Sequence, residues 1–410
     1  MTGSPSWIRL TDEAPESLGV DLAEVRLYRL DRVRAEMRRR DIAAVIVSDP
    51  VNIRYATGAR NMQVFTSRNT PSRYLLLTDD QSILFEFTGC EHLANDLETI
   101  DEVRPSSTAS FVASGGEIAA RERRWAVEMA DLVIELVGDR RPTVGIERMN
   151  AGVALALTEE GIRLVDAQEP IERARAIKSS GEIACIRASL AMAERAVAAM
   201  EEAIRPGLTE NEVWSVLHQR VIAENGDYCE TRLLNSGPRT NPWFQESTSR
   251  VIQPDELVCL DTDIVGCHGY YADFSRTFHV GPSKPTVAQR TLYQLAFEQV
   301  QHNLSIIEPS MSFAEYGRRA WNIPEPYHPN RYYLSAHGVG MTGEYPYLYH
   351  WTDFAEAGYD GEIVPNMTLC VESYIGADDG GEGVKLEQQV LVTGTGVEVL
   401  SAYPFDDDLL

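Results

Sequence analysis

Two short apolar segments that carry three aspartates between them constrain the fold of this chain more than any other feature. The first, ELVCLDTDIV, places Asp261 and Asp263 on one face of a strand, because successive side chains of a strand point to opposite faces. A turn with Gly266 and Gly269 follows, and the return segment YYADFSRTF brings Asp273 into a hairpin with the other two. Like charges opposite one another destabilise a sheet unless a cation separates them. The hairpin therefore predicts a metal ion.

Three later residues are further ligand candidates. His337 lies in SAHGVG, Glu372 in TLCVESYIG and Glu387 in GVKLEQQVLV, each inside or next to an apolar strand. The turn GADDGGEG between the last two strands predicts a second hairpin, across which the two glutamates can meet. Five carboxylates and one histidine form a set of mostly hard oxygen donors, which favours iron or manganese, with zinc as a third candidate. We predict two divalent metal ions that share bridging carboxylates.

The composition excludes several classes of protein. At 410 residues and 44% hydrophobic content the chain can form two domains with substantial cores. A net charge of -25 argues against nucleic acid and against an anionic membrane surface. No apolar run approaches the roughly 20 residues that span a bilayer, and the start has no signal-peptide pattern, so we expect a cytoplasmic protein without a membrane partner. The six cysteines show no C-x-x-C spacing, which argues against a thiolate zinc site.

The pattern of helices and strands changes along the chain. In the first half, helical and strand segments alternate, as in LAEVRLYRLDRVRAEMRRRDI followed by AAVIVSD, and this predicts an α/β domain over residues 1–175. A polar segment around RARAIKSSGE follows, with Ser180 as the expected cap of the next helix and Thr209 as the cap of the one after. Residues 176–410 are rich in strands and predict an α+β domain whose helices cover one face of a curved antiparallel sheet.

Several motifs in this order resemble a known family. D-F-S-R-T-F, H-G-V-G, V-E-S and K-L-E-Q-Q-V-L-V-T are similar to the metal-binding motifs of the pita-bread fold of aminopeptidase P, prolidase and creatinase, and NIRYATG and RAIKSSGEI are similar to signatures of its N-terminal domain and linker. The resemblance implies a creatinase-like N-terminal domain, a pita-bread catalytic domain and a homodimer, in which the partner's N-terminal domain closes over the pocket. The metal ligands it implies are Asp261 or Asp263, Asp273, His337, Glu372 and Glu387.

Other segments resemble one branch of this family, the DddP-type dimethylsulfoniopropionate lyases. These segments are the D-T-D run, ETRLLNSGPRTNPWFQE, HGVGMTGEYP and LSAYPFD. The resemblance implies that both aspartates of the D-T-D run are ligands. It also implies a small substrate with a carboxylate, a sulfonium zwitterion whose C–S bond is cleaved to dimethyl sulfide and acrylate.

The residues expected to bind the substrate follow from this chemistry. Aromatic faces can hold a sulfonium cation and an arginine can grip a carboxylate in a bidentate pair. In the segments that resemble the lyases, the candidates of these two kinds are Trp243, Tyr345, Tyr347, Trp351 and Arg239.

One departure from the lyases concerns the catalytic base. In those enzymes the residue six positions after the metal-binding histidine is an aspartate that acts as the catalytic base, and a glutamate follows it. This chain has Gly343 and Glu344 at these two positions. Glu344 is our candidate base. The alternatives are a structural role for Glu344 and a different small zwitterion or an amide as the substrate.

Two competing functions remain. Peptidases of this fold use two further histidines, and here Trp243 and Glu344 occupy those positions. Each missing donor removes roughly 3 kcal/mol of transition-state stabilisation, which makes an Xaa-Pro peptidase or a creatinase-like hydrolase of amide or C–N bonds the second candidate. A metal-binding protein without catalytic activity is the third.

Overall fold

The computed structural model describes residues 19–68 and 71–410, and within it the chain divides between Arg175 and Ala176 into two compact units. The first 18 residues of the predicted N-terminal domain lie outside the described residues. Among the described helices, none combines the length and the apolar character needed to cross a bilayer.

The N-terminal unit, Asp21–Arg175, is built on one mixed sheet. Its strands are β1 (Ala44–Val47), β2 (Tyr74–Thr78), β3 (Ser82–Glu86), β4 (Glu102–Pro105), β5 (Thr143–Ile146) and β6 (Arg163–Asp166). They are ordered β4-β3-β2-β1-β5-β6, with β1 antiparallel to β2 and parallel to β5. Its helices are α1 (Leu22–Arg39), α2 (Pro50–Thr57), α3 (Gln63–Thr66), α4 (Phe111–Ser114), α5 (Ile118–Val137), α6 (Ala151–Glu159) and α7 (Gln168–Arg175).

The core of this unit lies between the sheet and α5. The central strand β1 has the sequence AVIV and is buried along its whole length, as a strand covered on both faces must be. Helix α5 buries Trp125 and Met129 one turn apart, and the Trp125 ring lies 5.3 Å from that of Tyr74 in β2. The predicted α/β architecture of the first half is confirmed.

The C-terminal unit combines helices with antiparallel strands. Its helices are α8 (Ser180–Ala203), α9 (Glu210–Ala223), α10 (Val287–Ile306), α11 (Phe313–Arg319) and α12 (Phe354–Ala357). Helix α9 begins with the capping box that Thr209 predicts. The cap of α8 is Ser179 and not the predicted Ser180, because only Ser179 has Glu182 three residues later to complete the box.

The strands of this unit form three sheets, and the α+β class predicted for it is confirmed. The strands are β7 (Tyr228–Cys229), β8 (Leu234–Ser236), β9 (Glu256–Asp261), β10 (Ile264–Val265), β11 (Tyr271–Ala272), β12 (Ser275–Val280), β13 (Ala336–Val339), β14 (Gly343–Leu348), β15 (Thr368–Gly376), β16 (Gly383–Val392) and β17 (Val397–Val399). Their orders are β11-β10-β7, β12-β9-β8 and β14-β13-β15-β16-β17.

The hairpin of β15 and β16 has two faces of different chemistry. One face packs on α10 and contributes Val371 and Leu386 to the main apolar core, and Ser373 on this face donates to Gln299 of the helix over 2.6 Å. Because side chains alternate along a strand, Glu372 and Glu387 lie on the opposite face. The apolar core thus fixes the position of the hairpin on which the glutamates are held.

Candidate metal centre

The hairpin that carries the aspartates is paired at both ends and interrupted in the middle. Ser275 of β12 lies opposite Asp261 of β9, and Ala272 of β11 lies opposite Ile264 of β10. Between these pairs, the Thr262 hydroxyl donates to the Ala272 carbonyl over 3.0 Å. A side chain therefore takes the place of a ladder hydrogen bond, while the register of the two strands is the same on both sides of the interruption.

The interruption turns the three aspartates toward one point. Asp263 has a φ of 40°, in the left-handed region, which bends the strand there. The backbone N–H of Asp273 donates to Gln389 Oε1 over 3.0 Å instead of to the partner strand. One oxygen from each of Asp261, Asp263 and Asp273 lies within 4.8 Å of the other two. The structure thus brings the three predicted carboxylates together.

The second hairpin adds the two glutamates and the histidine. Glu372 of β15 lies directly opposite Glu387 of β16. His337 of β13 has its Nε2 atom 3.7 Å from Asp273 Oδ2, 3.6 Å from Glu372 Oε1 and 3.5 Å from Glu387 Oε1. Its Nδ1 atom lies 2.9 Å from the carbonyl oxygen of Gly338, which can only accept, so Nδ1 carries a hydrogen. In the neutral imidazole this leaves the lone pair of Nε2 facing the carboxylates.

The buried oxygens of this cluster fit a bound cation. Within the described residues, Asp273 Oδ1, Glu372 Oε1 and Glu387 Oε1 are buried and have no hydrogen-bond donor. Leaving buried polar atoms unpaired costs free energy, more so for charged groups. The donors that point inward are carboxylate oxygens and one imidazole nitrogen, which suits iron, manganese or zinc. The residues present therefore fit a metal, although their assignment as ligands stays a prediction.

The pKa values in the cluster are shifted because several charged groups are buried close to one another. Burial, together with the neighbouring carboxylates, raises the pKa of Asp261 and of Asp273 well above the usual range of an aspartate. The same causes raise the pKa of Glu372 to about 7. Burial opposes the charge of His337, but Glu387 and Glu372 outweigh it and raise the pKa of the imidazole to about 9. The cluster without a cation is therefore short of positive charge.

Lys385 is a member of this cluster that the sequence reasoning missed. It is fully buried, and its Nζ atom donates to Glu372 Oε2 over 2.8 Å and to Glu387 Oε2 over 3.0 Å. It also lies 3.4 Å from Asp261 Oδ2 and donates to Ser275 Oγ over 3.0 Å. A signal for it was present, because Lys385 lies two residues before Glu387 and a strand of period 2 places both on one face.

Asp263 has two hydroxyl partners that were also missed. The Thr231 hydroxyl donates to Asp263 Oδ2. The hydroxyl of Tyr271 lies 3.3 Å from Asp263 Oδ1 and 2.7 Å from the carboxylate of Glu230. Tyr271 lies two residues before Asp273, so strand alternation places both on one face and indicated this residue. Thr231 lies in a separate segment, and the alternation within the hairpin gives no information about it.

A sulfur atom also borders the cluster. Cys370 Sγ lies within 4.8 Å of ligand atoms of Asp273, His337 and Glu387. Burial, and then the charge of Asp273, raise the pKa of this thiol well above its usual value, so the thiol is protonated when no metal is present. Cys370 lies two residues before Glu372 on β15, which is the same parity signal as for Lys385.

Comparison with known proteins places this cluster in a family. The sequence profile of metallopeptidase family M24 matches residues 184–394, which is more than half of the chain and includes every residue of the cluster. The chain belongs to metallopeptidase family M24. A creatinase/prolidase N-terminal domain profile matches residues 29–177. The predicted membership of the aminopeptidase P, prolidase and creatinase family is confirmed.

Two curated relatives extend over almost the whole of this M24 protein. It is 34% identical over 395 residues to a dimethylsulfoniopropionate lyase DddP of Roseovarius nubinhibens, covering 95% of this chain and 88% of the relative. It is also 34% identical over 397 residues to the lyase of the same name from Roseobacter denitrificans, with the same coverage. The predicted resemblance to DddP-type lyases is therefore confirmed as a relationship between sequences.

Solved structures with lower identity share the fold. An Xaa-Pro dipeptidase from Bacillus anthracis has a TM-score of 0.73 and 19% identity, covering 93% of this chain and 99% of its own. A prolidase from Pyrococcus horikoshii has a TM-score of 0.72 and 20% identity over the same shares. These similarities show the pita-bread fold and carry no argument about the substrate.

Two of the predicted aromatic residues of this M24 protein lie next to the cluster. The ring of Tyr347 lies 6.4 Å from that of His337, and 36% of the residue is exposed, so Tyr347 lies between the cluster and solvent. Trp243 is buried, and its ring lies 5.9 Å from Lys385 Nζ. Lys385 Nζ is nearer still to the ring of Tyr332, at 4.8 Å, and Tyr332 was not among the predicted residues.

The other three predicted substrate-binding residues contact different parts of the unit. Tyr345 packs against Phe313 and Tyr359, each with 5.9 Å between ring centroids. Trp351 stacks on Phe354 at 5.4 Å, and the guanidinium of Arg318 lies over its ring. Arg239 donates to the buried carboxylate of Glu210 and, over 2.8 Å, to the carbonyl of Glu246. These contacts give all three a structural role, and substrate binding by them stays a prediction.

The predicted base, Glu344, is buried and paired with a cation. Its Oε1 atom accepts a hydrogen bond from Nζ of Lys178, which is buried as well. Gly340 makes room for this carboxylate, since a Cβ there would lie 2.6 Å from both of its oxygens. At the neighbouring position 343 there is space for a side chain: among the described residues, a Cβ there would meet the His337 imidazole alone, at 3.9 Å.

Proposed function

We propose that this chain is a dinuclear-metal enzyme that acts on a small carboxylate or zwitterion. The leading reaction is C–S cleavage of a dimethylsulfoniopropionate-like sulfonium to dimethyl sulfide and acrylate. The observation that carries the proposal is the convergence of both aspartates of the D-T-D run with Asp273, in a chain 34% identical over 95% of its length to a DddP lyase.

The proposed ligands form two overlapping sets. Asp273, His337, Glu372 and Glu387 surround one position, and Asp261, Asp263 and Asp273 surround the other. Iron and manganese are favoured by the oxygen-rich donor set, with zinc as a third candidate. When bound, the ions would supply a Lewis acid that holds the substrate carboxylate and acidifies the adjacent carbon.

The residues around the proposed metal centre would bind the sulfonium group and remove a proton from the substrate. The exposed ring of Tyr347 beside His337 offers an aromatic face for a sulfonium cation, and Trp243 and Tyr332 lie on the side of Lys385. A base must take the proton from the carbon next to the carboxylate. The C–H electron pair then forms the C=C bond, and the C–S pair leaves with neutral dimethyl sulfide.

Glu344 is the proposed base, and its contact with Lys178 bears directly on that role. Lys178 donates to Glu344 Oε1 and both side chains are buried, so the contact fixes the position of the carboxylate.

Hydrolysis of an amide or C–N bond is the second proposal, and the membership of metallopeptidase family M24 supports it. Trp243 and Glu344, where the peptidases carry histidines, argue against it. A metal-binding protein without catalysis is the third proposal. We further propose a homodimer in the cytoplasm, with no nucleic-acid or membrane partner.

A product assay tests the function. Purified protein is reconstituted separately with iron, manganese and zinc, and each form is incubated with dimethylsulfoniopropionate and with an Xaa-Pro dipeptide. Dimethyl sulfide and acrylate in equal amounts, lost in Glu344→Gln with the metal content unchanged, is the expected result. Dipeptide hydrolysis without dimethyl sulfide would replace the lyase by the hydrolase, and neither product from metal-loaded protein would reject both substrates.

A further inference from the structure

A lysine without any exposed surface lies inside the carboxylate cluster. Nζ of Lys385 is within 3.4 Å of oxygens from Asp261, Glu372 and Glu387, so a single ammonium contacts both hairpins that form the site. Buried lysines are rare unless they are paired, and this one has three carboxylate partners. Its position indicates a role in the charge balance of the site.

The two oxygens of each glutamate face different partners. Glu372 and Glu387 each give their Oε2 atom to Lys385. Their Oε1 atoms lie 3.6 Å and 3.5 Å from His337 Nε2, and among the described residues no donor reaches either of them. Each glutamate therefore has one oxygen on the ammonium and the other on the side of His337.

The charges of the site can be counted. The carboxylates of Asp261, Asp263, Asp273, Glu372 and Glu387 and the ammonium of Lys385 leave four negative charges when all are ionised and His337 is neutral, as a metal-binding imidazole is. Two divalent cations neutralise four negative charges. The presence of the lysine thus matches the site to two divalent ions and to a substrate without net charge, such as a zwitterion.

We propose that Lys385 is an internal counter-ion of the metal centre. It stabilises the carboxylates before a metal binds, and it repels the incoming ions that it partly replaces. This inference rests on the proposed metal site, but not on the proposed reaction. If it holds, loss of the ammonium lowers the stability of the metal-free protein and increases the stabilisation that metal binding provides, because binding to the native state alone stabilises it.

Thermal unfolding of the full chain tests the proposal with four proteins. Wild type, Lys385→Met, Lys385→Arg and Lys178→Met are each measured after chelator treatment and after loading with Mn²⁺. Lys178 is the matched control, since it is equally buried and paired with a carboxylate, Glu344, that belongs to neither proposed ligand set.

We expect Lys385→Met to have a lower Tm than wild type when metal-free and a larger rise in Tm on loading. Lys178→Met should lower both Tm values and leave the rise unchanged, and Lys385→Arg should resemble wild type because it keeps the charge. A rise in Lys385→Met equal to or smaller than that of wild type overturns the proposal and makes Lys385 a structural residue.

Metal retention provides a second measurement if metal-free Lys385→Met does not fold. The loaded variant is transferred into excess chelator, and bound manganese is followed by elemental analysis. Slower loss than from wild type supports the proposal, and faster loss overturns it. If wild type itself holds no manganese, iron or zinc, the proposed metal site fails together with this inference, whereas metal binding without lyase activity rejects only the reaction.

Discussion

The two hairpins that form the proposed metal centre hold their carboxylates in different ways. The hairpin of β15 and β16 is a regular ladder from Thr368 to Gly376, and its register alone places Glu372 opposite Glu387. The aspartate hairpin is interrupted, and its geometry depends on side-chain hydrogen bonds and on the left-handed backbone at Asp263. Backbone pairing alone sets the register of the two glutamates, whereas the backbone course of the aspartate hairpin depends on individual side chains.

The largest expected difference between the two hairpins is the number of metal ions that is lost when one proposed ligand is removed from each. Asp273 belongs to both proposed ligand sets, while Glu372 belongs to one. We expect Asp273→Asn to abolish binding of both ions, and Glu372→Gln to retain one. Metal content by elemental analysis after dialysis checks the result, with Glu256→Gln at the far end of the aspartate hairpin as the control. Two ions retained by Asp273→Asn would refute the shared ligand.

Addition of a carboxylate on β14 tests whether a base at that position accelerates the proposed reaction. Position 343 has room for a side chain next to the His337 imidazole. We expect Gly343→Asp to raise the rate of dimethyl sulfide release by about 100-fold or more, the usual contribution of a positioned general base. Gly343→Asn is the matched control without a base. Equal rates for the two variants at equal metal content would show that the added carboxylate does not act as a base.

A smaller effect is expected from removal of the Thr262 hydroxyl, which takes the place of one ladder hydrogen bond in the aspartate hairpin. Thr262 is buried and bonds Ala272 within the interruption, so Thr262→Val should cost about 1–3 kcal/mol of unfolding free energy and also weaken metal binding. Thr368→Val in the regular hairpin removes a similar buried bond, to the Val339 carbonyl. It should lower stability without changing metal affinity. Denaturant unfolding measures the stability of each variant, and a manganese titration measures its metal affinity. Equal metal affinities for Thr262→Val and Thr368→Val would contradict the difference between the two hairpins.

The regular hairpin was the part of the site most accessible to prediction. A strand alternates its side chains with period 2, so apolar strands joined by GADDGGEG were sufficient to predict that Glu372 and Glu387 meet. The same rule pointed to Lys385 and Cys370, each two residues before a glutamate. They were missed because a lysine and a cysteine in an apolar strand do not resemble ligands of hard metals.

Other parts of the site depend on contacts between residues far apart in the sequence. Glu344 and Lys178 are separated by 166 residues, and neither segment indicates the pair. Arg239 was selected for its side chain, and its actual partner, Glu210, lies on α9. The left-handed φ of Asp263 is an uncommon choice for a non-glycine residue, and the residue type does not reveal it. The fold class was more accessible, because long stretches of periodic apolar residues determine it.

The open space at Gly343 has a consequence for how easily the chemistry of this site can change. Every glycine codon becomes an aspartate or a glutamate codon through one nucleotide change. Among the described residues, a Cβ at this position would meet only the His337 imidazole, at 3.9 Å. A single base substitution is therefore enough to add an acidic side chain beside His337 without replacing any of the proposed metal ligands.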